Sequence, residues 1–255
     1  MRHEFTSRLR RGDPLIGTIV TINSSTVVEL LTRCGFDWLF LDGEHAPLGA
    51  ADLQHLVQAA GNEMPCVVRV PSSDEVFIKQ ALDIGAAGII VPQVNTAEQA
   101  ESVVRFAKYS PEGMRGVGLA RAHGYGMDFA KYINNANHDT AVIVQAEHAE
   151  AVKNIDAIVK VEGVDAVLVG PYDLSASLGK IGQVEDPEVV HAISQVTEAC
   201  AAASMPLGLF AVAATSLEPY IKRGYTLLVS GVDTLLLSQA ETSLLNEVKG
   251  LIGSR

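Results

Sequence analysis

The chain has 255 residues, a formal charge of −11 and no basic block, which makes nucleic acid and anionic membrane surfaces poor partners. No apolar run is long enough to span a bilayer. The opening residues MRHEFTSRLRRGD lack the apolar stretch of a signal peptide, so a cytoplasmic protein is expected. Hydrophobic content is 48% but aromatics are only 5%. Ala, Val, Leu and Ile therefore carry the core, which favours buried parallel strands covered by Ala-rich helices.

Short runs rich in Val, Ile and Leu alternate with helical patterns along the chain. A strand is expected at 16–20, then a helix at 24–33 capped by Asn23 or Ser24 and stopped by Gly35. A strand at 38–41 precedes a helix at 48–60 that Gly61 stops. The third pair is 66–70 and 74–84, with Gly85 as the stop. The fourth is 88–91 and 96–107, capped by Thr96. The fifth is 141–145 and 148–159. The sixth strand, 166–169, is followed by a helix at 187–203 that starts at Asp186-Pro187. Then come 207–210 with 216–223 and its stop Gly224, and 226–229 with a last helix at 234–252. Eight strand–helix units over 1–255 predict one α/β domain, a (β/α)8 TIM barrel. An open doubly wound sheet is disfavoured, because no GxGxxG follows the first strand. The segment 109–138 breaks the rhythm. It is long and Gly-rich, and is expected to be a functional loop. The scattered cysteines Cys34, Cys66 and Cys200 read as small buried hydrophobes in a reducing cytosol.

Reactive groups in such a barrel belong at the C-terminal ends of the strands. LFLDGEHAP ends the second strand with Asp42, Glu44 and His45; VVRVP ends the third with Arg69; VIVQAEH ends the fifth with Gln145 and Glu147; VLVGPYDLSASLG follows the sixth with Asp173. Gln145 and Glu147 are two apart and share a strand face. Adjacent strands lie roughly 5 Å apart, so Glu147 and Asp173 can share one hard divalent ion, Mg²⁺ or Mn²⁺. A guanidinium ending an apolar strand must be paired. Arg69 is expected to meet either a neighbouring acid or a substrate oxygen that becomes an enolate. The spacing of Asp42 and His45 suits a carboxylate that orients an imidazole for proton transfer. Arg121, His123 and Tyr125 in the long segment either line the mouth or serve structure alone. None of the lysines ends a strand, which argues against a Schiff base and for a metal.

These residues are familiar together. FDWLFLDGEHAP, VVRVP, PEGMRGVG, VQAEH and GVDAVLVGPYDLSASLG resemble the HpcH/HpaI aldolase family, from about residue 16 to near the C-terminus. The chain is similar to class II 4-hydroxy-2-oxoheptanedioate aldolases and to 2-keto-3-deoxy sugar acid aldolases of carbohydrate or aromatic catabolism. The resemblance implies a (β/α)8 barrel that reversibly cleaves a 4-hydroxy-2-oxo acid to pyruvate and an aldehyde through a metal-stabilised pyruvate enolate. It implies Mg²⁺, Mn²⁺ or Co²⁺ on Glu147 and Asp173, enolate stabilisation by Arg69, and acid–base work by His45 oriented by Asp42. Gln145, Gly170 and Pro171 would touch the donor. It also implies a hexamer with the last helix exchanged between barrels. Phe210 and Ile19 depart from the usual residues on the acceptor side, as does LARAHGYG in the long segment. Two other readings remain. A related acyl-CoA lyase would need a basic surface near the mouth, for which only Arg115 and Arg121 are at hand. A non-catalytic 2-oxo-acid-binding barrel would be expected to lack core site residues, and none is missing.

Overall fold

The computed structural model describes residues 2–253. Eight parallel strands close a barrel in chain order: β1 Leu15–Val20, β2 Trp38–Asp42, β3 Cys66–Arg69, β4 Gly88–Val91, β5 Ala141–Ala146, β6 Ala166–Val169, β7 Leu207–Ala211 and β8 Leu227–Val232. Around them stand α2 Ser25–Leu31, α3 Ala50–Ala60, α4 Glu75–Asp83, α5 Ala97–Ala107, α7 Ala149–Ile158, α9 Pro187–Ala202 and α10 Ala214–Ile221. The caps act as the sequence suggests: Ser24, Thr96 and Asp186 each accept a backbone amide of their helix. No helix among the described residues is long and apolar enough to cross a membrane.

The strands bury both faces, and alternation sorts their side chains. Leu39, Leu41, Val68, Ile89, Val144 and Val167 face the helices. Trp38, Phe40, Val67, Ile90, Ile143 and Leu168 fill the interior. Trp38 fits because Gly17 opposes it; a Cβ at 17 would lie 2.5 Å from the indole. One inward step beyond these apolar layers, at the C-terminal ends, the inward positions become Asp42, Arg69 and Gln145. The register makes Asp42 and Arg69 direct neighbours across β2 and β3.

Four features differ from expectation. An N-terminal helix, α1 Arg2–Arg11, closes the base of the barrel with Phe5 and Leu9, and Phe5 packs 5.8 Å from Trp38. The segment 109–138 is largely ordered secondary structure: a 3-10 turn at Arg121–Gly126 and α6 Phe129–Asp139. A short helix, α8 Pro171–Ser177, follows β6. Cys34 is exposed, because α2 ends at Leu31, whereas Cys66 and Cys200 are buried as expected. The final helix, α11 Asp233–Gly253, buries only Asp233 among the described residues. Its Leu237, Leu244, Val248 and Leu251 are exposed, so that stripe does not cover its own barrel.

Candidate active site at the barrel mouth

Asp42 and Arg69 form a fork-to-fork pair. Arg69 donates from Nε to Asp42 Oδ1 at 2.9 Å and from Nη2 to Oδ2 at 2.7 Å, and its Cζ lies 5.2 Å over the Phe40 ring. Glu44 Oε2 approaches Nε at 3.3 Å. Burial alone would raise the Asp42 carboxyl, but Arg69 and the amides of His45 and Glu44 outweigh it and hold the group below the usual range. Arg69 is held above its usual value in return.

This pairing corrects one expectation. Asp42 was expected to orient the His45 imidazole. Both of its oxygens instead bind Arg69, and Oδ1 also accepts the backbone amides of Glu44 and His45 at 3.1 and 3.2 Å. Asp42 therefore holds the His45 turn, not its ring. The ring is 63% exposed and stands 3.7 Å from Glu44 Oε2. The cause is geometric: a register neighbour on the next strand reaches a strand-end carboxylate more directly than a side chain three residues on.

Glu147 is buried just beyond β5. Its Oε2 accepts from Gln145 Nε2 at 2.7 Å and its Oε1 from the Gln93 amide at 2.8 Å. Sequence reasoning missed Gln93, since the contact uses backbone. Its left-handed conformation, φ 55°, was the feature to find, and no side-chain motif announces it. Burial pushes the Glu147 carboxyl up to about 7; Glu44 and Asp173 add to the rise, while the Gln93 amide and Arg69 oppose it. Glu44 is raised as well, first by burial. Gly170 is a glycine because Glu147 crowds it: a Cβ there would meet Glu147 Oε2 at 2.8 Å.

Asp173, in the first turn of α8, is exposed. With Asp42, His45, Arg69, Gln145, Gly170, Pro171 and Phe210 it lines one cavity of about 220 Å³. Glu147 stands behind Gln145 and Gly170. The Oε1 of Gln145 is buried without a partner, an oxygen acceptor with nothing to accept from. A hard cation suits this donor set. Among the described residues no group of three or more His, Cys, Asp or Glu is placed to hold a metal ion. The protein would thus contribute two carboxylates, Glu147 and Asp173, and leave other positions to water and substrate. Among the described residues no lysine lines the cavity.

Arg121, His123 and Tyr125 lie at the other end of the barrel. Arg121 donates to the Ile84 carbonyl just past α4, and His123 is buried edge-on to Phe129 at 5.4 Å. Connectivity explains it: the segment leaves the end of α5 and enters the start of β5, so it runs across the base. Arg115 is there too, paired with Asp83 at 2.6 Å. The basic surface that an acyl-CoA lyase would need near the mouth is therefore not made by these arginines.

A family model described as HpcH/HpaI aldolase/citrate lyase matches residues 16–240. The chain belongs to this family. It is 40% identical over 97% of its length to the hydroxypyruvate/pyruvate aldolase of Pseudomonas aeruginosa, covering 93% of that protein. It is 38% identical over 95% of its length to the 4-hydroxy-2-oxovalerate aldolase of Rhodococcus jostii, covering 94% of it. The solved structure of an HpcH/HpaI aldolase/citrate lyase family protein from Burkholderia cenocepacia superposes with a TM-score of 0.93 at 36% identity, covering 97% of this chain and 99% of that one. As a member of the HpcH/HpaI family, the chain is an enzyme of the aldolase type, a carbon–carbon lyase.

Proposed function

We propose that the chain is a divalent-metal-dependent pyruvate aldolase that reversibly cleaves 4-hydroxy-2-oxo acids to pyruvate and an aldehyde. The observation that carries this reading is one cavity lined by Arg69, Gln145 and Asp173, with the buried Glu147 carboxylate directly behind Gln145 and Gly170. Glu147 and Asp173 would hold the ion, which when bound would supply Lewis-acid stabilisation of charge on the 2-oxo oxygen. Arg69 gives two N–H groups to Asp42 and keeps others for that oxygen, as an oxyanion donor does. Asp42 fixes the guanidinium plane and the turn that carries His45. Gln145 and the backbone at Gly170 and Pro171 border the donor.

In cleavage the C3–C4 bond breaks, the 4-hydroxyl loses its proton as the aldehyde forms, and the enolate carbon gains a proton to become the pyruvate methyl. His45, open to solvent and beside Glu44, is the group placed to move those protons through water. Phe210 borders the aldehyde. Chelation should abolish cleavage, and Mg²⁺, Mn²⁺ or Co²⁺ should restore it. Full activity in excess chelator, or borohydride trapping of pyruvate on a lysine, would overturn the metal reading.

The exposed apolar stripe of α11 supports assembly into a hexamer with this helix exchanged between barrels. Sedimentation at micromolar concentration should find the oligomer; a monomer there would refute it. The free thiols fit a reducing cytoplasm.

A further inference from the structure

Among the described residues, Gln93, Tyr125 and Ser204 have a left-handed φ without being glycine. Such a backbone is uncommon for a residue with a side chain and calls for a reason. Ser204 has the ordinary one, since it stands just past the C-terminal end of α9, where chains often turn this way. Tyr125 belongs to the 3-10 turn at the base. Gln93 instead follows a strand, β4, at the mouth, and it is exposed. The working part of this residue is its backbone amide, which donates to Glu147.

The surroundings leave that backbone little choice. Pro92 before it and Val94 after it are both buried. Val91 is held in the β4–β5 ladder opposite Val144. On the other side Asn95 donates its amide to Gln99, and Thr96 caps α5. Between these fixed flanks residue 93 turns with φ 55°. Its amide and the Glu147 carboxylate, each just past its own strand of the same ladder, then meet at 2.8 Å.

Glu147 is thus gripped from three strand ends. Oε1 accepts the Gln93 amide after β4, and Oε2 accepts Gln145 Nε2 on β5 at 2.7 Å. Gly170, after β6, closes the third side; a Cβ there would lie 2.8 Å from both Oε2 and Cβ of Glu147. One donor on each oxygen fixes the plane of the carboxylate and leaves each oxygen lone-pair capacity for an ion. Groups that orient a metal ligand from behind matter to affinity, and losing one weakens binding by roughly 10–100-fold.

We infer that Gln93 is a positioning residue for the ion: its left-handed backbone, and not its side chain, aims the amide that holds Glu147 ready to ligate. This rests on the metal-dependent reading of the site. Both groups of the contact belong to one chain, so the device does not depend on a neighbouring subunit.

The test titrates Mn²⁺ into metal-free protein by calorimetry, with far-UV circular dichroism as the check on folding. Gln93→Gly and Gln93→Asn reach the left-handed region readily, and their Kd should stay within about threefold of the parent. Gln93→Ala, which removes the side chain beyond Cβ, should do the same. Gln93→Val and Gln93→Ile are β-branched and ill suited to that backbone, and should bind about tenfold or more weakly. Val and Ile variants that bind as tightly as the parent overturn the inference. So does an Ala variant as weak as they are, because the side chain would then be the working part. A parent that binds no Mn²⁺ at millimolar concentration overturns the metal reading as well. Hydrogen exchange on metal-free protein decides the matter if the β-branched variants do not fold. In Glu147→Ala the residue 93 amide loses its acceptor and should exchange at least about tenfold faster, while the Ile89 and Ile90 amides of β4 keep their rates. An unchanged rate at residue 93 overturns the contact and the inference with it.

Discussion

Two arginines are drawn out of water at opposite ends of this barrel, and each meets an acid and an aromatic ring. At the base, the Arg115 side chain is 0% exposed; it pairs with Asp83, stacks 4.5 Å over Tyr109 and reaches the Tyr132 hydroxyl at 3.2 Å. At the mouth, Arg69 pairs with Asp42 and lies over Phe40, yet it also borders a cavity. The partners are alike in kind, and what differs is the side left open. Arg115 is enclosed by the chain it organises, and its Nε has no partner. The surroundings of Arg69 fix its plane and leave room for a ligand. A buried ion pair is therefore poor evidence of function until the space beside it is known.

The largest expected effect lies at the base. Arg115→Met leaves Asp83 without its cation and empties the space between Tyr109 and Tyr132. It should cost about 3–5 kcal/mol of stability, as breaking a buried pair does, with kcat close to normal in the folded fraction. Urea unfolding and steady-state kinetics together read this out. A large fall in kcat at unchanged stability would erase the contrast between the two ends.

Next comes Arg69→Lys. Charge is kept and the planar fork is lost, so kcat should fall by a hundredfold or more, in line with removing one oxyanion donor. The melting temperature should move little, since the change is at the mouth. A near-normal kcat would make Arg69 structural, like its counterpart.

The smallest expected effect sharpens the mouth side. Burial pushes the Glu147 carboxyl up to about 7, above its ordinary value near 4.3. A group raised on folding stabilises the fold while it is protonated, and that contribution is lost as pH rises through the folded value. Metal-free protein should therefore lose about 2 kcal/mol between about pH 5 and pH 7.5. Glu147→Gln should flatten this dependence. The range stops below 8 because buried Lys108, pushed down to about 8 by burial, titrates above it. Metal-free protein that grows more stable over the same range would show that the buried carboxylate is not poised for an ion.

Much of this was legible in the sequence, and the gaps have causes. The strands could be read because each is a short apolar run bounded by turn residues, and the strand-end rule then collected Asp42, Arg69, Gln145, Glu147 and Asp173. Partner choice was harder. Asp42 was matched to His45 because sequence shows neighbours along the chain, whereas Arg69 is its neighbour across the ladder. The Gln93 amide had no signal, since every residue type has a backbone. For the long segment the sequence left two readings, a lining of the mouth or a purely structural role. Its glycines carry no position, whereas a connection from a helix to a strand begins and ends at the base. Phe5 and Leu9, four apart in α1, were the overlooked sign of a helix with a buried side.

Asp233 joins two parts of the molecule at one point. It is the first residue of α11; its carboxylate accepts the Thr21 hydroxyl at 2.6 Å and the Thr21 and Ile22 amides at 2.9 and 2.8 Å. Beyond it the helix runs on for 21 residues in all, about 30 Å at the usual rise. Mechanically this is a lever pinned at its root. A tilt of one degree moves the far tip by about 0.5 Å over that length and the root by almost nothing. A tilt of the outer turns, free or docked, would therefore reach Thr21 strongly attenuated and leave the mouth its shape.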